Sequence, residues 1–61
     1  MIFMQAQHCI WSCRTEYGRY VIQNFGKGGW AWYISTKTNA VSVESYAAAV
    51  KACGKHFEGA K

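Results

Sequence analysis

The chain has 61 residues, 51% of them hydrophobic and 16% aromatic, and seven Lys and Arg against three acidic residues give a net charge of +4. A chain of this length forms one small domain that buries only about 60% of the surface its unfolded form exposes, so we expect its stability to be low. The mild positive charge favours polyanions, such as nucleic acid, or acidic protein surfaces as partners. Because the basic residues are spread along the chain without a run, a scattered solubilising charge is the alternative interpretation. We expect the large aromatic side chains to supply most of the core.

The first residues, MIFMQAQHC, lack the positively charged start and the long apolar run of a secretory signal. Nowhere do about 18 apolar residues run together, as a membrane-spanning helix requires. Three cysteines without secretory features are typical of a reducing compartment. We therefore expect a soluble, cytoplasmic protein that has no membrane partner.

Three strand-like segments come first, at residues 4–14, 19–25 and 30–37, each rich in aromatic or β-branched residues. Turn-forming sequences separate them, at Glu16-Tyr17-Gly18 and at Gly26-Lys27-Gly28-Gly29. Short connections of this kind predict an antiparallel meander with the second strand in the centre. We interpret the first turn as a three-residue loop in which Gly18 takes a left-handed bulge position.

These turns predict which side chains share a face, because opposed residues of antiparallel strands point to the same side of the sheet. The face that forms the core would contain Cys9, Trp11, Cys13, Val21, Phe25, Trp30, Trp32 and Ile34. The opposite face would contain His8, Ile10, Ser12, Arg14, Tyr20, Ile22, Asn24, Ala31, Tyr33 and Ser35. Gln23 does not fit this register, since it places a polar side chain in the middle of the apolar face.

The segment 42–57 predicts an amphipathic helix that covers the core face, with Ser42 as its N-cap. Its apolar residues recur at helical spacing and are Val43, Tyr46, Ala47, Val50, Cys53 and Phe57. Gly54 would fray the helix and Gly59 would end it. The predicted fold is α+β, one domain over residues 1–61 with two layers in the order β-β-β-α.

Five residues raise the question of a zinc site or a catalytic centre; they are His8, Cys9, Cys13, Cys53 and His56. On one extended strand Cys9 and Cys13 would lie about 13 Å apart, too far to share a zinc ion or a disulfide. A disulfide between Cys53 and either of them is sterically possible. Because His8 falls on the face opposite the cysteines, no base lies beside a nucleophile. We predict no metal, no cofactor and no enzymatic activity.

The outward face is the candidate site, because tyrosine rings stack on bases while arginine and lysine bind phosphates. A sheet can also present polar side chains to base edges in the DNA major groove. The predicted nucleic-acid contacts are Arg14, Arg19, Tyr20, Asn24, Tyr33, Ser35 and Lys37.

The alternative partner is a protein, because the same face would carry an apolar patch of Ile10, Tyr20, Ile22 and Tyr33. In that case the partner would be a host protein or a second copy of the chain. A homodimer would use either the outer face or the exposed edge strands.

Two segments resemble the DNA-binding domains of phage and transposon integrases and of AP2-type factors. They are the hairpin from Tyr20-Val21-Ile22 to Trp30-Ala31-Trp32-Tyr33-Ile34 and the Ala-rich helix from Ser42 to Val50. The resemblance covers residues 9–57 and implies that the exposed sheet face enters the major groove. By position it implicates Arg14, Tyr20, Asn24, Tyr33 and Ser35, although the first two strands carry fewer basic residues than is usual in that group. The same plan is similar to that of small phage and mobile-element proteins, some of which inhibit host enzymes. Inhibition of a host or defence enzyme is therefore the alternative function.

Overall fold

The computed structural model describes residues 1–37 and 39–60, the last by its backbone only. The described part is a five-stranded antiparallel sheet with one helix packed on it. The elements are β1 Met4–Gln7, β2 Ile10–Thr15, β3 Gly18–Gly26, β4 Gly29–Ile34, β5 Val41–Val43 and α1 Tyr46–Ala60. Strand order in the sheet follows chain order, so β3 is central. The α+β class and the packing of a C-terminal helix on the sheet are confirmed, whereas the predicted number of strands is too small.

The segment predicted as one strand over residues 4–14 forms two strands, β1 and β2. They are joined by a turn at His8 and Cys9, where Cys9 takes a left-handed conformation with φ of 66°. Such a conformation is uncommon outside glycine, asparagine, aspartate and histidine. The sequence around this turn contains none of the usual glycine or proline signals, so the pattern did not reveal it.

The other additional strand, β5, lies where the start of the helix was predicted. Val41 and Val43 pair with Trp32 and Trp30 of β4, and α1 begins only at Tyr46. The N-cap is Ser45, whose hydroxyl oxygen accepts a hydrogen bond from the backbone N–H of Ala48 at 3.1 Å. The helix then continues through both Gly54 and Gly59, neither of which ends it.

The register of β3 differs from the prediction at both of its turns. The β2–β3 turn is a two-residue loop closed by Thr15 and Gly18, one residue shorter than predicted. In the β3–β4 hairpin a β-bulge falls between Asn24 and Gly26, which leaves Phe25 as the extra residue. Each difference moves β3 by one position relative to its neighbour. Because side chains alternate along a strand, a shift of one residue exchanges the two faces.

As a result β3 presents the opposite side chains to the helix. Tyr20 and Ile22 are fully buried at 0% exposure, whereas Phe25, predicted in the core, is 62% exposed. Val21 lies on the uncovered face, opposite Ser12 and Tyr33. The predicted faces of β2 and β4 are correct: the side chains toward the helix are Trp11, Cys13, Trp30, Trp32 and Ile34.

The centre of the core lies between the sheet and α1. It consists of Tyr20, Ile22, Ile34, Ala49 and Cys53. Partly buried hydrophobic residues surround it, namely Phe3, Trp11, Trp30, Trp32, Val43, Tyr46, Val50 and Phe57. Around the start of α1 the rings of Trp11, Trp30 and Tyr46 contact one another with centroids 5.4 to 5.7 Å apart. Large rings bury much area per residue, which stabilises a chain too short for an extensive core.

Candidate nucleic-acid interface

The face of the sheet opposite α1 carries the candidate site, and we call it the outer face. The pairing of the strands assigns to it Met4, Ile10, Ser12, Arg14, Arg19, Val21, Gln23, Ala31, Tyr33, Ser35 and Ser42. The helix covers only the other side. The outer face is therefore the side of the sheet that the helix leaves uncovered.

Two arginines lie directly opposite each other at one end of the outer face. Arg14 of β2 pairs with Arg19 of β3, and both side chains are exposed. Ser35 holds the end of β4 beside them, because its hydroxyl accepts a hydrogen bond from the N–H of Arg19 at 3.0 Å. The N–H of Ser35 in turn donates to the carbonyl of Arg19 at 2.9 Å. A third cation, the exposed Lys37, follows in a turn closed by its N–H and the carbonyl of Ile34 at 2.9 Å.

The middle of the outer face is only partly apolar. Tyr33 lies opposite Val21 and is half-buried. Val21 and Ala31 are only 8% and 5% exposed, although no helix covers them. Small side chains in the centre of a sheet are sheltered by their neighbours, so the ring of Tyr33 is the main aromatic surface that a ligand could reach there.

Tyr20 was predicted as a nucleic-acid contact, and its predicted exposure is wrong. The shifted register of β3 turns it toward α1, where its hydroxyl oxygen lies 2.7 Å from Nδ1 of His56 and shares a hydrogen bond with it. Its ring stacks on that of Trp32 with centroids 6.1 Å apart. Burial, with smaller contributions from Cys53 and Tyr17, raises the pKa of Tyr20 above its usual value of about 10. A neutral, buried tyrosine is part of the core and cannot contact a ligand.

Asn24 was also predicted as a contact on the outer face, and this placement is wrong for the same reason. It lies opposite Trp30 on the helix side of the sheet. Its Oδ1 accepts a hydrogen bond from the N–H of Gly26 at 2.8 Å, which stabilises the bulged β3–β4 hairpin. The neighbouring Gln23 takes its place on the outer face, opposite Ile10 and Ala31. Its poor fit to the predicted core was the one sequence signal of this arrangement.

The predicted apolar patch for a protein partner loses half of its members. Ile22 and Tyr20 are both fully buried against the helix. Ile10 and Tyr33 remain on the outer face, in different rows and half-buried. The contiguous apolar surface that suggested a protein partner is therefore smaller than the sequence indicated.

Cys9, Cys13 and Cys53 are all free. Burial, and to a lesser extent Cys13, raises the pKa of Cys53 to about 12, which keeps this thiol protonated and unreactive at neutral pH. No group of three or more His, Cys, Asp or Glu side chains in residues 1–37 and 39–60 lies close enough to hold a metal ion. Within the same ranges no helix has the length and apolar character to cross a membrane.

No protein family, curated protein or solved structure matches this chain. The resemblance to integrase and AP2-type domains therefore stays a prediction.

Proposed function

We propose that this protein binds nucleic acid, specifically single-stranded DNA, through the outer face of its sheet. The observation that carries the proposal is the direct pairing of Arg14 with Arg19. Like charges opposite each other destabilise an antiparallel pair. The five described strands contain no Asp or Glu, and Glu16, in the turn between β2 and β3, is the acidic residue nearest to the pair in sequence. A phosphate backbone supplies further negative charge to the two guanidinium groups.

Tyr33 and the polar side chains beside it supply contacts for the bases. Tyr33 lies one row from the arginine pair, since Val21 opposite it is two residues from Arg19. Stacking of a base on an aromatic ring contributes about 1–3 kcal/mol and tolerates any sequence. Ser12 and Gln23 carry hydroxyl and amide groups that can hydrogen-bond to base edges.

The width of the sheet favours a single strand over a duplex. Neighbouring strands lie about 4.8 Å apart, so a five-stranded face spans about 19 Å between its outermost strands. The major groove is only about 12 Å wide and admits an α-helix or a two-stranded ribbon. A single strand can instead lie across the face, with phosphates at the arginine end and bases over Tyr33.

Fluorescence anisotropy of a labelled single-stranded oligonucleotide, titrated at several salt concentrations, tests the proposal. Each neutralised phosphate of a single strand contributes a slope of about −0.7 to log K against log salt. Contacts from Arg14, Arg19 and Lys37 together therefore predict a slope of about −2. The same sequence as a duplex is expected to bind more weakly. Absence of binding at low salt would exclude the proposed function.

Two double variants distinguish binding by the outer face from attraction by the net charge of the protein. Replacing both arginines, Arg14→Gln with Arg19→Gln, is expected to weaken binding and to make the slope shallower by about 1.4. The matched control, Lys51→Gln with Lys55→Gln, removes the same charge from exposed positions on α1. Equal losses in the two double variants would mean that net charge, and not the outer face, attracts the DNA.

Tyr33 tests the stacking part of the proposal. Tyr33→Ala is expected to lower the affinity by about fivefold to 150-fold, the equivalent of one stacked base. Tyr33→Phe keeps the ring and is expected to bind as the wild type does. A similar loss in both variants would contradict stacking and indicate a role for the hydroxyl.

A further inference from the structure

A second aromatic side chain projects from the far end of the outer face. Phe25 is 62% exposed, which makes it the most exposed aromatic residue in the described part of the chain. A Cβ added at Gly29 would lie 3.9 Å from the Cβ of Phe25, so the two positions point to the same side of the sheet. Gly29 directly precedes Trp30, which packs on the helix side, and neighbouring residues of a strand face opposite sides. Phe25 therefore lies on the outer face together with Tyr33.

The tip of the β3–β4 hairpin constrains the backbone of Phe25 and leaves its ring accessible. Phe25 is the extra residue of the β-bulge, and the 2.8 Å hydrogen bond from the N–H of Gly26 to Oδ1 of Asn24 spans it. A Cβ added at Gly26 or Gly28 would meet no atom within 4 Å beyond those of adjacent residues, so the tip stands clear of the rest of the described chain. A ring held in this way loses little conformational entropy when a ligand stacks on it.

The charges around this ring favour a polyanion over a protein partner. Arg19 lies near the start of β3, and the exposed Lys27 lies at the hairpin tip, two residues from Phe25. Residues 18–34 contain no Asp or Glu. Because the neighbours of Phe25 at the tip are glycines and a lysine, the tip offers far less apolar area than the about 800 Å² per partner that a protein interface buries. A single base needs only one face of one ring.

We propose that Phe25 is a second base-stacking site for single-stranded DNA, an inference that rests on the function proposed above. Phe25 lies four residues along β3 from Val21, the partner of Tyr33, which places the two aromatic residues about 13 Å apart along the strand at about 3.3 Å per residue. The row of residues between them carries no aromatic ring. The DNA strand therefore runs along the β3–β4 hairpin, from the arginine pair over Tyr33 to Phe25, and Lys27 binds a phosphate at the far end.

Three variants of Phe25, titrated by anisotropy against a labelled single-stranded oligonucleotide that spans both rings, test this site. Phe25→Ala is expected to lower the affinity by about fivefold to 150-fold, the equivalent of one stacked base. Phe25→Leu keeps an apolar side chain without a ring and is expected to lose a similar amount, whereas Phe25→Trp is expected to bind at least as tightly as the wild type. None of the three changes the net charge, so the salt slope is expected to stay at about −2.

Two further variants serve as controls for apolar surface and for charge. Val41 is also exposed, at 47%, but it lies opposite Trp32 on the helix side of the sheet, so Val41→Ala is expected to bind as the wild type does. Lys27→Gln is expected to make the salt slope shallower by about 0.7, the contribution of one phosphate. Circular dichroism checks that every variant is folded.

The double variant Tyr33→Ala with Phe25→Ala measures whether the two rings hold separate bases. Sites about 13 Å apart act independently, so the two fold-losses are expected to multiply. Binding by the wild type tests the proposed function, whereas the comparison among variants tests the second stacking site, so the two failures are distinguishable. Wild-type affinity in Phe25→Ala or Phe25→Leu would overturn the second site and leave the proposed function intact. So would an equal loss in Val41→Ala, or a double variant that binds no more weakly than Tyr33→Ala alone.

Discussion

The hydroxyl oxygen of Tyr20 and Nδ1 of His56 lie 2.7 Å apart and join the central strand of the sheet to the last part of the helix. Tyr20 is fully buried, and a buried hydroxyl requires a hydrogen-bond partner. The rings of Trp32 and Tyr20 both contact the imidazole, with centroids 5.6 and 5.7 Å from it. His56 therefore acts as a structural residue, and its one ring satisfies the polar atom of Tyr20 and packs against two aromatic side chains.

Removal of His56 is expected to destabilise the fold more than removal of the Tyr20 hydroxyl. His56→Ala leaves that hydroxyl buried without a partner, which costs about 1–3 kcal/mol in addition to the lost ring contacts. Tyr20→Phe removes the hydroxyl itself, and the half-buried imidazole can still reach water, so we expect a cost of about 1 kcal/mol. Urea unfolding of both variants and of the double variant measures the difference. Equal costs for the two substitutions would contradict this role of His56.

Stability is expected to fall at alkaline pH because of Cys53. Burial raises the pKa of this thiol to about 12 in the folded protein, whereas an unfolded cysteine ionises near pH 8.5. The folded state holds the proton more tightly, so this contribution is fully present below about pH 8.5 and is lost as pH rises toward about 12. Tyr20, whose pKa is also raised, adds to the same decline.

The free energy of unfolding at several alkaline pH values checks this prediction. Cys53→Ala is expected to show a shallower decline with pH than the wild type, whatever its stability at neutral pH. Val50→Ala, which also removes packing from the helix side of the core, is expected to keep the wild-type slope. If Cys53→Ala declined as steeply as the wild type, ionisation of this thiol would not be the cause.

Two serines near the start of α1 are expected to differ in their effect on stability. Ser45→Ala removes the hydroxyl that caps the helix and is expected to cost about 1 kcal/mol. Ser42→Ala, at an exposed position on β5, is expected to change stability by no more than about 0.5 kcal/mol. Thermal unfolding of the two variants distinguishes the observed cap from the predicted one. A larger loss at Ser42 would place the helix start where the sequence pattern suggested it.

Two glycines are expected to respond to alanine in opposite directions. Gly18 has φ of 125°, and a Cβ there would lie 3.1 Å from the Ile34 side chain, so Gly18→Ala is expected to destabilise the β2–β3 hairpin. Gly54 lies inside α1, where an added Cβ would meet no neighbouring group within 4 Å, and Gly54→Ala is expected to stabilise the protein by about 1 kcal/mol. Chemical denaturation measures both. Stabilisation by Gly18→Ala would show that this turn does not need a glycine.

The parts of the fold with a strong, unambiguous pattern were predictable from the sequence. Trp30 and Trp32 alternate with Tyr33, and this spacing correctly assigned the faces of β4. The helical spacing of the apolar residues that end at Phe57 correctly predicted a C-terminal helix on the sheet. In both cases large side chains recur with one period over several residues, so local sequence and tertiary packing agree.

The register of β3 was not predictable in the same way. Tyr20, Val21 and Ile22 are all apolar enough to be buried, so the strand fits the core with either face. The turns had to decide, and the loop length at one turn and the bulge at Phe25 in the other each moved β3 by one residue. Both displacements affect the same strand, so the two predicted turns still agreed on one pairing of β3 with its neighbours. Their agreement was therefore not independent evidence that the predicted register was correct.

The positions of the candidate residues in the fold were predicted in part. Arg14, Tyr33 and Ser35 lie on the outer face, and Lys37 is exposed just after β4, because β2, β4 and the residues that follow β4 kept their predicted positions. Arg19 lies on the outer face because of the one-residue shift of β3. The two errors, Tyr20 and Asn24, both belong to β3. Gln23 lies on the outer face in their place, because the one-residue shift exchanged the two faces of β3.

The order of the strands also affects how the chain folds. Each strand pairs with its neighbour in sequence, and the longest connection between paired strands covers only residues 35–40. The entropy lost in closing such short loops is small, and folds made of local contacts reach the native state quickly. After dilution from denaturant this chain is expected to regain its sheet faster than chains of similar length whose strands pair with distant partners, as stopped-flow fluorescence can measure.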